Sequence, residues 1–118
     1  MTHDAGHEMK ARMRTDLRAA MKEGRPGEAR LIRALVAAID NAEAPPLQAG
    51  QKATDQHRFQ EGSAEIERLH LGPERVRAVL LAEIGERERA AEEMDRVERP
   101  DRADALRAEA LFARRYIG

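Results

Sequence analysis

Proline and glycine residues divide the sequence into four segments that have helical periodicity. The interruptions are "EGRPGE" at 23–28, the pair Pro45–Pro46, "LGPE" at 71–74, and Pro100. Proline ends a helix or begins one, because it lacks a backbone N–H and clashes with the preceding turn. The spacing therefore predicts helices over about 6–23, 27–43, 73–98 and 101–117, with an irregular connection over 45–72. We predict an all-α fold, in which two helical hairpins form a four-helix assembly within a single domain spanning 1–118.

Apolar residues of the first two segments indicate how these helices pack. Met9, Met13, Leu17 and Met21 recur every four residues and predict one apolar stripe on the first helix. The second helix has a wider apolar arc that should contact more than one neighbour, which predicts that it is central. This arc comprises Leu31, Ile32, Leu35, Val36, Ile39 and Ala42. Helical projection also places Glu43 on this apolar side.

Composition excludes several classes of protein. Cysteine is absent, so the chain has neither a disulfide framework nor a thiolate nucleophile. Charged residues make up 36% of the sequence, and no apolar run reaches the ~20 residues of a membrane span. The N-terminal "MTHDAGHEMK" lacks the apolar region of a signal peptide. We expect a cytoplasmic protein that contacts no membrane, and we expect no cofactor.

Basic residues are concentrated in the first hairpin. Between Lys10 and Arg33 there are eight basic and three acidic residues, a net charge of +5, whereas the chain from Phe59 onwards has 11 basic and 14 acidic residues, a net charge of −3. Four of the basic residues are spaced every four positions and a fifth follows in the turn: Lys10, Arg14, Arg18, Lys22 and Arg25. Such a stripe can bind a phosphate backbone. The alternative is a solvated helix face. The absence of aromatic residues for base stacking in this stretch favours that alternative.

A second set of polar residues is expected on inward helix faces. Glu83 and Arg87 form an i, i+4 pair in the favourable order on the apolar face of the third helix. Asn41 and Glu43 lie at the C-terminal end of the second helix. Our hypothesis is that these four residues meet near one end of the bundle as a ligand or partner cluster. The alternative is a structural ion pair that joins the third helix to the second.

His3 and His7 have the i, i+4 spacing of a metal-binding pair, with Asp4 and Glu8 beside them. Because no third ligand lies on the same short terminal segment, we attribute this spacing to chance and expect no metal site.

Two longer stretches resemble a known family. "RTDLRAAMKEGRPGEARLIRALVAAIDNAE" resembles the N-terminal signature of the YqeY family, whose members belong with the GatB/YqeY domain proteins. "LGPERVRAVLLAEIGERERAAEEM" and "ERPDRADALRAEALFARRYI" are similar to the third and fourth helices of that family. The matching positions are Leu17, Ala19, Ala20, Met21, Lys22, Ala37, Ala38, Ile39, Asn41, Ala42, Glu43, Glu83, Ile84, Arg87, Arg99, Asp101, Ala108, Glu109, Tyr116 and Ile117. The resemblance covers roughly 9–44 and 71–117.

This resemblance implies a link to carbon–nitrogen ligation with glutamine as the amido-N donor, in tRNA-dependent amidotransferases. The amidase chemistry associated with that family uses a Ser-Ser-Lys arrangement, whereas this sequence has one serine, Ser63, and no nucleotide-binding G-x-x-x-x-G-K-[ST] loop. We therefore expect an accessory protein that is not catalytic alone and binds tRNA or a protein of that pathway. The alternative is a helical protein–protein interaction module, able to self-associate through 45–72, with no nucleic-acid role.

The sequence departs from the family in two places. The 45–72 connection is longer than the family's usual link. The sequence stops at Ile117–Gly118, where longer members continue past a "Y-L-P" motif into a small helical tail. In GatB the related tail is the part associated with tRNA, so we expect a short form of the family without this tail domain.

Overall fold

The structure is a computed structural model that describes residues 4–45 and 68–117. These residues form four α-helices, and a 3-10 turn at Arg114–Tyr116 follows the last helix. The helices are α1 (Ala5–Lys22), α2 (Pro26–Glu43), α3 (Pro73–Arg96) and α4 (Pro100–Ala113). The most extensive helix contacts are those of α1 with α2 and of α3 with α4. The predicted all-α assembly of two helical hairpins is therefore confirmed.

The ends of α1 and the start of α2 follow from local chemistry. The Asp4 side chain accepts a hydrogen bond from the His7 backbone N–H at 3.0 Å, which satisfies one of the free donors of the first turn. After α1, Gly24 adopts φ +71°, a left-handed conformation that glycine reaches without a Cβ clash. Pro26 is then the first residue of α2, where its missing N–H costs nothing. This short turn makes α1 and α2 antiparallel.

The second hairpin turns at a residue with unusual backbone geometry. Glu98 has φ +58°, and the Arg99 N–H donates to the Met94 carbonyl at 2.8 Å, which closes α3. Pro100 then starts α4. The α-helix predicted to reach residue 117 ends at Ala113, because the backbone tightens into the 3-10 turn. Two arginines bind carbonyls in this last segment, Arg12 that of Arg115 and Arg77 that of Ile117.

The main core lies between the two hairpins. α2 contacts the other three helices, as predicted for a central helix, and α3 does the same. The largest fully buried side chains are Met13, Ile32, Leu35, Ile39, Leu80 and Ile84. Beyond this core, α3 and α4 are joined by a smaller cluster of Ala91, Ala103 and Leu106. The small alanine side chains allow these two helices to approach closely.

The apolar stripe of α1 winds around the helix instead of following its axis. Met13 is fully buried, Met9 is half-buried, and Met21 is 57% exposed. Four residues rotate a helix by about 400°, so each step of an i, i+4 series moves about 40° around the axis. The predicted stripe therefore leaves the core at its C-terminal end.

Residues 68–72 extend across the open end of the first hairpin. The Leu69 N–H donates to the Glu43 carbonyl at 2.8 Å, and the Ala5 N–H donates to the Leu71 carbonyl at 3.0 Å. The Leu71 side chain is buried in the main core. Most of the predicted 45–72 connection, from 46 to 67, lies outside the described residues, as does His3. Of the described helices, none combines the length and the apolar character that crossing a membrane requires.

Candidate nucleic-acid interface

Lys10 does not belong to a solvent-facing basic stripe, which corrects the prediction from the sequence. Its side chain points into the contact between α1 and α2 and is only 9% exposed. The Lys10 Nζ donates to Glu43 Oε1 at 2.5 Å and to Asp40 Oδ1 at 2.8 Å. The reason is the same 40° step that moves Met21 out of the core. Lys10 lies on the edge of α1 that faces α2, and each later member of the series is turned further towards solvent.

Burial and hydrogen bonding act on Lys10 in opposite directions. Burial disfavours the ammonium form, but the hydrogen bonds with Asp40 and Glu43 outweigh it and raise the pKa of Lys10 above its usual value. Glu43 is 3% exposed, and its second carboxylate oxygen lies against Gly6. A Cβ at position 6 would stand 2.8 Å from that oxygen, so the pair requires glycine there. Lys10 is therefore a charged structural residue.

The other members of the predicted stripe are exposed. Arg14, Arg18 and Lys22 point to solvent, and among the described residues none of them has a carboxylate partner; Arg18 contacts only the Thr15 hydroxyl. Arg25 is exposed as well, but its guanidinium pairs with Glu23 and Glu28. Arg25 therefore adds no net positive charge.

α2 contributes a second row of cations, which the sequence prediction did not include. Arg33 Nη2 lies 3.4 Å from the Met21 sulfur, so Arg33 is beside the C-terminal part of α1. Arg30 is one turn earlier on α2, and both arginines line a groove at the hairpin turn together with Arg25 and Met21. Neither Arg30 nor Arg33 has a carboxylate partner in the described part of the chain. The signal in the sequence that could have identified this row is the short hairpin turn, which brings the N-terminal arginines of α2 beside the C-terminal cations of α1.

Together these residues form one surface, which we call the cationic face: Arg14, Arg18, Lys22, Arg30 and Arg33. The Lys10–Asp40 and Met21–Arg33 contacts show the register of α1 against α2 at its two ends. Because the helices are antiparallel, Arg30 and Arg33 lie beside the C-terminal end of the α1 row, at and beyond the Met21–Arg33 contact, whereas Arg14 lies nearer the Lys10–Asp40 contact. The nearby Asp16 carboxylate is held elsewhere, since it accepts a 2.6 Å hydrogen bond from the Tyr116 hydroxyl. Such a face can bind a polyanion.

The four polar residues expected to meet as a cluster do not do so. Glu43 is bound by Lys10, while Arg87 is bound by Glu83 and by Glu109 of α4. Asn41 is exposed. Leu31 and Glu109 line one surface groove, whereas Glu43 lies twelve residues further along α2, which corresponds to about 18 Å. Asn41 and Glu43 are therefore in the last turn of α2, whereas the Glu83–Arg87 pair lies near its start.

The Glu83–Arg87 pair joins α3 to α4. The alternative expected from the sequence was a structural ion pair that joins α3 to α2, so the partner helix is different. Arg87 Nε donates to Glu109 Oε1 at 3.1 Å, and Arg87 Nη1 donates to Glu83 Oε1 at 3.1 Å. All three side chains are partly buried in the interface between α3 and α4. Sequence reasoning identified the pair but missed Glu109, because a contact between helices depends on their relative rotation.

No group of three or more metal-ligating side chains occurs within residues 4–45 and 68–117. Asp4, His7 and Glu8 lie there, and the role of Asp4 is to cap α1.

Comparison with known proteins identifies no relative of this chain: no protein-family model, curated protein sequence or solved structure matches it.

Proposed function

We propose that this chain is a YqeY-like accessory protein of tRNA-dependent amidotransfer, and that it binds tRNA through the cationic face. The observation that carries this proposal is the arrangement of Arg14, Arg18 and Lys22 on α1 beside Arg30 and Arg33 on α2. All five side chains are exposed, and none has a carboxylate partner among the described residues. The link to amidotransfer rests on the resemblance of the helical segments to the YqeY family.

Electrostatics supports a polyanionic ligand for this face. The net charge of the chain is −1, so its general attraction for nucleic acid is weak and any binding must come from a local concentration of charge. A lysine or arginine that neutralises a phosphate releases condensed counterions, which provides most of the affinity of binding that does not depend on sequence. Both rows lie on packed helices, so the backbone positions of these residues are fixed before a ligand arrives.

The proposed role does not include catalysis by this chain alone. The sequence has no cysteine and a single serine, Ser63, whereas the family-type amidase reaction uses two serines and a lysine. The chain would then act by holding tRNA for a partner enzyme of the pathway, and carbon–nitrogen ligation would occur on that partner.

Binding of tRNA by the purified chain tests the proposal. Fluorescence anisotropy of labelled tRNA should show binding at low salt that weakens steeply towards physiological salt. The charge-reversal variant Arg14→Glu/Arg18→Glu should lose this binding. The matched control is Arg89→Glu/Arg99→Glu, which makes the same charge change at exposed positions of the α3–α4 hairpin and should leave binding almost unchanged. Absence of binding by the wild-type chain at low salt would refute the tRNA-binding role.

A second candidate is a helical protein–protein interaction module with no nucleic-acid role. The observation that favours it is Leu111 on α4, which is 73% exposed in a surface groove between α3 and α4. Under this proposal the chain would self-associate or bind a partner through this side of the second hairpin. Sedimentation equilibrium would then show a concentration-dependent mass that falls to the monomer value in Leu111→Glu. A monomer at all concentrations, in both proteins, would rule out self-association at this site.

A further inference from the structure

The cationic face offers charge but no aromatic ring on which a base can stack. The adjoining groove of about 500 Å³ is lined by three arginines and five uncharged residues: Arg25, Arg30, Arg33, Ala20, Met21, Gly24, Pro26 and Ala29. The described aromatic residues, Phe112 and Tyr116, lie at the end of α4 and in the 3-10 turn. A guanidinium covers each of these two rings. Proteins that bind single-stranded RNA stack its bases on exposed aromatic rings, and this face provides none.

The geometry of the two rows also distinguishes between nucleic-acid shapes. The α1 row extends from Arg14 to Lys22, which is about 12 Å along the helix axis. Arg30 and Arg33 lie on α2 beside the C-terminal end of this row, and the axes of two packed helices are about 8–10 Å apart. A single strand presents one line of phosphates, whereas a double helix presents two lines that flank each groove. Cations carried by two neighbouring helices can therefore reach two backbones.

The rows are held in a fixed relation to each other. The buried Lys10–Glu43 pair joins α1 to α2 at one end of the hairpin, and the core that contains Met13, Ile32 and Leu35 holds the two helices together. A fixed spacing suits the regular backbone of a duplex, since a flexible single strand would gain little from it. The side chains of the face reach phosphates without depending on the base sequence.

On the basis of the proposed function, we propose that the element of tRNA bound by this face is a base-paired stem. The α1 row contacts the phosphates of one strand and the α2 row those of the other, across a groove of the A-form helix. Recognition is by backbone shape and charge, and it is independent of sequence. The unpaired loops and the single-stranded end of tRNA do not contribute to binding at this face.

The test compares labelled RNAs with the full chain at one low salt concentration. The ligands are tRNA, two blunt-ended RNA duplexes of unrelated sequence, and the separated strands of those duplexes. Each duplex has a length of ~16 base pairs, which is the length that a double-stranded RNA-binding domain spans. The strands are chosen not to fold. We expect both duplexes to bind as tightly as tRNA, within about threefold, and the single strands to bind at least ~10-fold more weakly. Strands that bind as tightly as the duplexes would overturn the proposal, and so would a strong preference for one duplex sequence.

Variants of the two rows complete the test. Arg14→Gln/Arg18→Gln and Arg30→Gln/Arg33→Gln should each weaken duplex binding, while the control Arg89→Gln/Arg99→Gln should not. Each row variant should reduce the slope of log K against log salt by about 1.5–2. If only one row affects duplex binding, the two-backbone geometry is wrong. If tRNA binds but the duplexes do not, this inference fails and the proposed function stands, whereas both fail if tRNA does not bind.

Discussion

Lys10 of α1 and Glu43 of α2 form a buried ion pair that closes the open end of the first hairpin. The Nζ–Oε1 distance is 2.5 Å, and the two side chains are 9% and 3% exposed. Asp40 is the second partner of Lys10 at 2.8 Å, and Arg68 lies 3.6 Å from the Glu43 carboxylate. The Glu43 carbonyl also accepts the Leu69 N–H, so the same residue holds the segment that leads into α3. This pair is therefore important for the order of the whole junction.

Removing one partner of this pair should destabilise the protein strongly. Glu43→Gln leaves the Lys10 ammonium buried with one carboxylate instead of two, and we expect a loss of about 3 kcal/mol in the free energy of unfolding. The double variant Lys10→Met/Glu43→Leu removes both charges and should lose much less. Urea denaturation of Lys10→Met, Glu43→Leu and the double variant measures the coupling energy. A Glu43→Gln protein as stable as the wild type would show that the pair is not important for folding.

Alkaline pH should weaken the fold through Lys10. Its pKa is raised by folding above the ordinary value of 10.5, so the folded protein retains a proton that the unfolded chain releases. The stabilisation is complete below pH 10.5 and is lost as the pH rises through the folded-state pKa. Unfolding free energies measured from pH 8 to about 11.5 should therefore fall by at most ~1.4 kcal/mol per pH unit for this group. Lys10→Met should lack that contribution.

Tyr116 should also contribute to the loss of folding stability at alkaline pH, through its phenol group. Burial, together with the hydrogen bond to Asp16, raises the pKa of its phenol well above the ordinary value of 10.0. The folded state therefore keeps the phenol proton above pH 10.0, where the unfolded chain loses it, and stability falls as the pH rises. Tyr116→Phe should have a shallower alkaline slope, although the loss of the hydrogen bond lowers its stability at neutral pH. Identical slopes in Tyr116→Phe and the wild type would contradict this assignment.

Two glycines within helices should respond to alanine in opposite directions. At Gly6 a new Cβ would stand 2.8 Å from the buried Glu43 carboxylate, so Gly6→Ala should destabilise the protein by about 1–3 kcal/mol. At Gly85 the Cβ would meet only the Arg89 guanidinium, at 3.2 Å, and that long side chain can move. Gly85→Ala should therefore stabilise α3 by about 0.5–1 kcal/mol. Thermal denaturation of both variants beside the wild type measures the two effects, and a destabilised Gly85→Ala would contradict the second.

The sequence predicts the helices of this protein well because their boundaries are encoded locally. Gly24, Pro26, Pro73 and Pro100 act within a few residues of their own positions, and the helices begin or end beside them. The inward position of Glu43 also followed from helical projection alone. Its partner did not, because the pairing with Lys10 depends on how α1 is rotated against α2. That rotation is set by the packing of the whole core, and the same limit explains why the role of Glu109 was missed.

The corrected position of Lys10 makes a further prediction about tRNA binding. If residues spaced by four positions lay in a line along the helix axis, Lys10 and Lys22 would contribute equally to phosphate contacts. In the structure Lys10 is buried and paired, whereas Lys22 is exposed at the other end of α1. Lys22→Met should therefore weaken tRNA binding, by up to about tenfold at low salt, and should reduce the slope of log K against log salt by nearly 1. Lys10→Met should change the affinity by less than about twofold, because its ammonium reaches no phosphate.

The comparison is made at a low temperature at which circular dichroism shows that both variants are folded. A loss of affinity in Lys10→Met equal to that in Lys22→Met would mean that Lys10 leaves its buried pair to bind RNA.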